Sequence, residues 1–228
     1  MFIGLNFLGI IFFIISLIIQ HILKKKIDQY SQMPTKMTGA EIAKKMLNEN
    51  GIYDVSITSV PGELTDHYNP LNKTVNLSEE VYNGNNVAAI AVAAHECGHA
   101  VQHARGYIFL QMRSMIVPFI SISSKYMTWV ILFGILMVRS SPLLLEIGII
   151  LFASTTIFSF ITLPVEINAS NRALEWIKSR NIINSRTDYK YAENALFWAA
   201  MTYVVAALGS LAELMRLISI LNDNKRND

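Results

Sequence analysis

The sequence predicts a mainly α-helical membrane protein in which about four hydrophobic helices accompany a smaller polar region on the cytosolic side. Two observations lead to this fold class. Apolar residues make up 52% of the 228 residues and charged residues only 16%, and the apolar residues are gathered in a few long runs. This composition is too apolar for an ordinary soluble domain, so we expect the lipid bilayer to be a direct partner of the chain.

Charge and cysteine content exclude several other classes of protein. The net charge is +2 and the basic residues are scattered, which gives no support to a nucleic-acid-binding surface. The single cysteine, Cys97, rules out an intrachain disulfide framework and a zinc site built from a cysteine cluster. Neither feature indicates an oligomeric state, which the sequence leaves open.

The first hydrophobic run extends from Phe2 to Leu23 and is followed directly by three lysines, Lys24 to Lys26. It is long enough to cross the hydrocarbon core of a bilayer. A secretory signal peptide would carry its positive charge before the apolar run and a small-residue cleavage site after it. We therefore predict a retained transmembrane anchor over residues 1–23 and a second domain over residues 24–228.

Two further apolar runs, about residues 116–138 and 143–163, are separated by the short stretch RSSP at Arg139 to Pro142. Their lengths and short connection predict a transmembrane hairpin over about residues 116–163. A fourth apolar stretch, about residues 195–212, is rich in alanine and other small residues that let helices pack closely in lipid. At its borderline length, a spanning helix and a buried helix of the polar region both explain it.

The distribution of basic residues sets the predicted orientation. Nine Lys or Arg lie between the first and second runs and five lie between the third and fourth, whereas only Arg139 lies in the hairpin turn. Short loops rich in Lys and Arg stay in the cytosol. The sequence therefore predicts a multi-pass protein of the cell membrane whose polar region faces the cytoplasm.

The polar region begins with a helix and a small β-ribbon. Thr38 and Glu41 form a capping-box pattern at the start of the helix, and Gly51 marks its end. The stretches DVSITSV and KTVNLS read as two strands with DHYNP as a loop between them. The KTVNLS strand, as an edge strand, could pair with an extended peptide through main-chain hydrogen bonds, although a purely structural ribbon explains the pattern equally well.

The stretch AVAAHECGHAVQ contains His95, Glu96 and His99 within an alanine-rich helical pattern. On a helix, His95 and His99 lie about 40° apart and one turn apart, so both can point a ring nitrogen at one metal ion. Glu96 lies beside this face, where it can take a proton from a water molecule at the metal. Gly98 flanks the same face and leaves room for a close neighbour. The pattern predicts one Zn²⁺ per chain, with Glu96 as the catalytic residue.

A catalytic zinc site needs a third protein ligand. His103 lies about 12 Å of helix rise from His95, too far to share an ion easily. Among the downstream carboxylates, Glu166 stands out because it follows the third hydrophobic run, where Pro164 fits a helix start and Ser170 lies one turn on. The residues alone leave six candidates open: Glu146, Glu166, Glu175, Asp188, Glu193 and Glu213.

Across nearly its whole length the chain resembles the YugP-type family of membrane zinc metallopeptidases, which are related to HtpX-like and CAAX-prenyl-protease-like gluzincins. The motifs that carry the resemblance are LTDHYNP, TVNLSEEVY, AVAAHECGHAVQ, LPVEINASNRA and AAMTYVVAAL, together with the anchor and the hairpin. The resemblance implies a zincin-like catalytic domain with an HExxH active-site helix. It also implies His95, His99 and Glu166 as zinc ligands and Glu96 as the catalytic base.

The sequence departs from HtpX-like enzymes at Ser170, where those proteins have an aspartate that supports a ligand histidine. A hydroxyl can also accept a hydrogen bond, although more weakly than a carboxylate. Ser170 and His103 are therefore candidates for supporting the site. Arg172 and His67 are candidates for stabilising the transition state, and each has an ordinary structural alternative.

The expected function is a zinc-dependent endopeptidase that hydrolyses membrane-proximal or unfolded protein and peptide substrates at the cytosolic face. A non-catalytic, zinc-stabilised membrane scaffold or adaptor is the alternative. A metal transporter ranks last, because it needs ligands well inside the spans, and His21 at the end of the first run is the only His or Asp in any of them.

Overall fold

The computed structural model describes residues 2–183 and 185–227, with side chains described for residues 8–183 and 185–225. This part of the chain is mainly helical, as predicted, and also contains one small sheet. Its elements are α1 (Phe2–Tyr30), α2 (Gly39–Glu49), β1 (Ser56–Val60), β2 (His67–Asn69), β3 (Thr74–Ser78), α3 (Glu79–Asn83), α4 (Val87–Ala104), α5 (Ile108–Leu136), α6 (Leu143–Ser179) and α7 (Arg186–Asn227).

Four helices within the described residues, α1, α5, α6 and α7, are long and apolar enough to cross a membrane. Many of their large apolar side chains are exposed, which is the expected arrangement for helices whose solvent is lipid. The prediction of about four hydrophobic helices is therefore confirmed.

The chain divides into two compact units. The helical unit consists of the segment up to Ile18, Met112–Leu163 and the segment from Thr202. Within it, α5 and α6 form a close hairpin, because a Cβ added at Gly134 would lie only 2.8 Å from the backbone of Leu145. Glu146 in the first turn of α6 forms an ion pair with Lys225, with 2.8 Å between Oε1 and Nζ.

The site unit consists of Ile19–Gln111 and Pro164–Met201. Its α2 begins with the predicted capping box, since Thr38 Oγ1 accepts from the amide of Glu41 and the Glu41 carboxylate accepts from the amide of Thr38. Gly51 follows two residues after the last residue of the helix, and its φ of +74° suits glycine. Its buried face includes Ile42 and Met46 and contributes to the main apolar core of the unit.

The sheet has the strand order β1-β3-β2, with β1 parallel and β2 antiparallel to β3. The prediction of a loop at DHYNP is wrong in its centre, because His67–Asn69 forms strand β2 and pairs with Thr74–Asn76. A strand of three residues is too short for an alternating pattern to reveal it. The prediction that KTVNLS provides an edge is also wrong, since β3 has a partner on each side.

The two helices that carry the candidate site are α4 and the second half of α6. Helix α4 is buried over most of its circumference, which explains why its sequence is apolar on every side. Pro164 lies inside α6 and does not begin a new helix, contrary to the prediction. The missing amide of a proline removes one hydrogen bond from the helix, but here the chain continues as a helix through that position.

Candidate metal centre

Helix α4 presents its motif residues on one side of a well-capped element. The side chain of Asn86 accepts a hydrogen bond from the amide of Ala89, 2.9 Å away, and so caps the first turn. His95 and His99 lie one turn apart, with ring centroids 4.8 Å apart and ring planes at 85°. Their imidazoles thus approach each other edge to face, and each directs its Nε2 atom toward α6.

Glu166 of α6 lies opposite the two histidines. Its Oε2 atom is 3.3 Å from Nε2 of His95 and 3.5 Å from Nε2 of His99. Donors that bind one tetrahedral zinc ion at about 2.0–2.2 Å lie about 3.3–3.5 Å from each other. The described residues therefore contain a His₂Glu donor set that could hold one metal ion: both distances to Glu166 fit zinc, and all three ligand atoms lie within 4.8 Å of one another.

The burial of Glu166 supports the same interpretation. Its residue exposure is only 2%. A buried carboxylate needs compensating charge or hydrogen bonds, and a divalent cation shared with two imidazoles supplies that charge. The other five candidate carboxylates lie outside this cluster in the described chain; two of them pair with a base instead, Glu146 with Lys225 and Glu213 with Arg216.

Each imidazole uses its second nitrogen for a contact inside the protein. Nδ1 of His95 lies 3.0 Å from Oγ of Ser170, the residue predicted to support the site. Nδ1 of His99 lies 3.1 Å from Oε1 of Gln102. Gln102 is not among the residues predicted from the sequence, although its position three residues after His99 on the same helix face was a usable signal.

Glu96 is buried beside the donor set but is not part of it. Burial raises the pKa of the Glu96 carboxyl to about 7; the neighbouring Glu166 acts in the same direction, and His95 opposes it. The backbone amide of Tyr68 also lowers this pKa, which places the Glu96 carboxyl beside β2. Because β2 is an edge strand, the catalytic candidate faces an edge of the sheet.

The remaining predicted site residues lie outside the donor set. Nδ1 of His103 is 2.7 Å from the hydroxyl of Tyr68, so this pair connects the end of α4 to β2. His67 is exposed and its ring lies 2.7 Å from the carbonyl of Thr65. Nε of Arg172 donates to Oδ1 of Asn168 at 2.8 Å.

A cleft of about 480 Å³ runs along α4 on the N-terminal side of His95. Val92 of α4, one turn before Glu96, forms part of its wall, and Asp66 lies at the end next to β2. The opposite wall includes Lys24 and Asp28 of α1. The cleft therefore lies between the first half of α4 and the part of α1 that follows the first hydrophobic run.

Comparison with known proteins is consistent with this donor set. The family described as "putative neutral zinc metallopeptidase" matches residues 5–222. The chain belongs to this zinc metallopeptidase family. The resemblance predicted from the sequence motifs is thereby confirmed, and zinc is the metal that the family implies for a site of this kind.

A relative of this chain from Bacillus subtilis (strain 168) is described as "Putative membrane protease YugP". It is 43% identical over 207 residues, which cover 90% of this chain and 91% of the relative. No solved structure matches the chain.

Proposed function

We propose that the protein is a zinc-dependent endopeptidase embedded in the membrane, which hydrolyses membrane-proximal or unfolded proteins at the cytosolic face. The observation that carries the proposal is the position of a buried Glu96 next to a His₂Glu donor set of zinc-like spacing. Three protein donors leave one coordination position open, which distinguishes catalytic from structural zinc sites. Membership in a zinc metallopeptidase family supports the same activity.

In this proposal His95, His99 and Glu166 hold the zinc ion. When bound, zinc supplies Lewis-acid chemistry that activates water near neutral pH and polarises a peptide carbonyl group. Glu96 takes the proton from the attacking water and passes it to the nitrogen of the leaving amine. The burial of Glu96 keeps bulk water away from this proton, so that it is transferred within the site.

The substrate is proposed to bind as an extended strand along the edge of β2. This edge replaces the KTVNLS strand as the candidate, because β2 lies beside Glu96 whereas β3 is paired on both sides. The cleft between α4 and α1 then receives the part of the substrate beyond Asp66. The α1 residues that line the cleft come directly after the first hydrophobic run. We therefore expect the cleft to bind substrate segments close to the membrane surface.

The proposed domain organisation places a transmembrane anchor at residues 1–23 and a zincin-like metallopeptidase domain at residues 24–228. This domain includes the hairpin at about residues 116–163 and the apolar helix at about residues 195–212. The excess of Lys and Arg in the segments that carry the site supports an active site facing the cytoplasm in a multi-pass protein.

The decisive experiment compares the purified wild-type protein with Glu96→Gln in lipid vesicles. The substitution should abolish cleavage of an unfolded protein such as casein, while the zinc content stays at one ion per chain. Glu175→Gln, an exposed glutamate on α6, is the matched control and should retain activity. Cleavage that persists in Glu96→Gln would refute the catalytic assignment, and a wild-type protein that binds zinc without cleaving any substrate would favour the scaffold alternative.

A further inference from the structure

We propose that Gln102 is a positioning residue that fixes the tautomer of His99, so that the unprotonated Nε2 of His99 faces the metal. The inference rests on the proposed zinc site and adds a residue that acts through one of its ligands. Gln102 is the fully buried polar residue of α4, with an exposure of 0%. Burial of an amide at such a position requires that its donors and acceptor find partners.

Gln102 meets this requirement through three contacts. Its Nε2 donates to the carbonyl oxygen of Val165 at 2.8 Å and to Oδ1 of Asn168 at 3.0 Å. Its Oε1 lies 3.1 Å from Nδ1 of His99. The side chain therefore links a histidine of α4 to the turn of α6 that carries Glu166.

The direction of these hydrogen bonds is fixed by neighbouring groups that can only donate or can only accept a hydrogen. The carbonyl of Val165 can only accept, so the Gln102 group facing it must be the NH₂ group. A guanidinium can only donate, so the Asn168 atom that faces Arg172 must be its oxygen. That same oxygen faces Gln102, which again requires the NH₂ group of Gln102 on this side.

With both donors of Gln102 used toward α6, its oxygen is the atom that faces His99. This oxygen can only accept, so Nδ1 of His99 must carry the hydrogen. A neutral imidazole with Nδ1 protonated has its lone pair on Nε2, which is the atom 3.5 Å from Oε2 of Glu166. The hydrogen bonds from Arg172 through Asn168 and Gln102 thus keep a hydrogen on Nδ1 of His99 and leave Nε2 as its metal-binding nitrogen.

The opposite orientation of the Gln102 amide would be unfavourable. It would place Oε1 against two acceptor oxygens, those of Val165 and Asn168, and would leave their hydrogen bonds unmade inside the protein. His99 would then carry its hydrogen on Nε2, pointing at the position of the metal. His95 has no comparable constraint, because the hydroxyl of Ser170 can rotate and either donate or accept.

The test compares Gln102→Leu with Val101→Ala, a control that removes buried volume from the apolar core at the neighbouring position. Zinc affinity is measured by competition with a chelator, and the unfolding temperature of the zinc-free protein is measured in parallel. Gln102→Leu should weaken zinc binding by about 10–100-fold, the usual effect of losing a partner behind a ligand histidine. Val101→Ala should lower the unfolding temperature without this loss of affinity.

The tautomer itself provides a readout that a merely structural role would not change. In zinc-free protein labelled with ¹⁵N-histidine, the His99 ring, assigned through its loss in His99→Ala, should show a protonated Nδ1. In Gln102→Leu this preference should disappear. A wild-type His99 without a hydrogen on Nδ1, or wild-type zinc affinity in Gln102→Leu, would overturn the inference while leaving the ligand set intact. Unchanged zinc affinity in His99→Ala would instead overturn the proposed zinc site and this inference together.

Discussion

Gly98 of α4 lies against the backbone of Ala169 of α6, so closely that an added Cβ would be 2.5 Å from the carbonyl oxygen of Ala169. Gly98 stands next to His99, and Ala169 stands three residues after Glu166. The absence of a side chain at residue 98 therefore sets the distance between the two helices that supply the donor set. This confirms the sequence-based expectation that Gly98 admits a close neighbour.

The substitution Gly98→Ala should weaken zinc binding and lower stability. The new methyl group cannot be accommodated without moving one helix, because the atom it meets is a backbone atom. Overpacking of this kind costs about 1–3 kcal/mol. The movement also separates Glu166 from His95 and His99, so zinc affinity measured by chelator competition should fall together with the unfolding temperature.

Gly9→Ala is the matched control for this prediction, since the nearest atom to an added Cβ at Gly9 lies 3.7 Å away, at an ordinary contact distance. It should keep the zinc affinity of the wild type. Wild-type zinc affinity in Gly98→Ala would mean that the helix distance at Ala169 does not control the donor set.

The sequence could predict the parts of the site that lie within one element. His95, Glu96 and His99 belong to a single helix, whose geometry fixes their relative positions once the helix is recognised. Glu166 lies far along the chain, after two hydrophobic runs, so the residues alone left six carboxylates open and only the family resemblance selected one. Spacing along a sequence cannot determine which distant helix packs against another.

The elements that the sequence analysis missed are short or depend on tertiary contacts. Strand β2 has three residues and is held in place by pairing with β3. Proline is enriched at the first position of helices, but at Pro164 the helix continues through it. The spacing of Gln102 from His99 indicates a contact between them, but the hydrogen bond that orients Gln102 goes to the carbonyl of Val165 on another helix, which no local pattern could reveal.

The substitution Ser170→Ala should weaken zinc binding modestly. Ser170 is buried, and its hydroxyl is 3.0 Å from Nδ1 of His95. Loss of one neutral hydrogen bond costs about 1 kcal/mol, which corresponds to a roughly fivefold weaker zinc affinity. Ser159→Ala is a suitable control, because the Ser159 hydroxyl on the same helix bonds only to the carbonyl of Thr155 among the contacts described, 3.0 Å away. An equal effect of the two substitutions would show that Ser170 does not support His95.

Removal of zinc with a chelator should destabilise the protein. In the zinc-bound state the cation compensates the negative charge of the buried Glu166 carboxylate beside the two imidazoles. Without zinc, this compensating positive charge is missing. At a zinc concentration of a thousand times Kd, the bound metal contributes about 4 kcal/mol, so the unfolding temperature should fall on the order of 10 °C. In His95→Ala, which lacks one donor, the chelator should have a much smaller effect. An unfolding temperature that does not change with chelator in the wild type would contradict zinc binding at this cluster.

The Tyr68–His103 pair should matter for substrate binding rather than for zinc. The hydroxyl of Tyr68 is 2.7 Å from Nδ1 of His103, and burial raises the pKa of Tyr68 to about 12, so the hydroxyl stays protonated and can donate this hydrogen bond. The contact holds β2 against α4, next to Glu96. Tyr68→Phe should therefore raise KM for an extended peptide, because the strand edge loses its fixed position, while zinc affinity stays at the wild-type value.

A double-mutant cycle tests whether the pair acts as one unit. Tyr68→Phe and His103→Ala should each cost about 0.5–1.5 kcal/mol of stability. The double variant should cost less than the sum of the two, because either single change already removes the same hydrogen bond. Strictly additive effects on stability and on KM would show that the two side chains act separately. The position of β2 would then depend on its pairing with β3 alone.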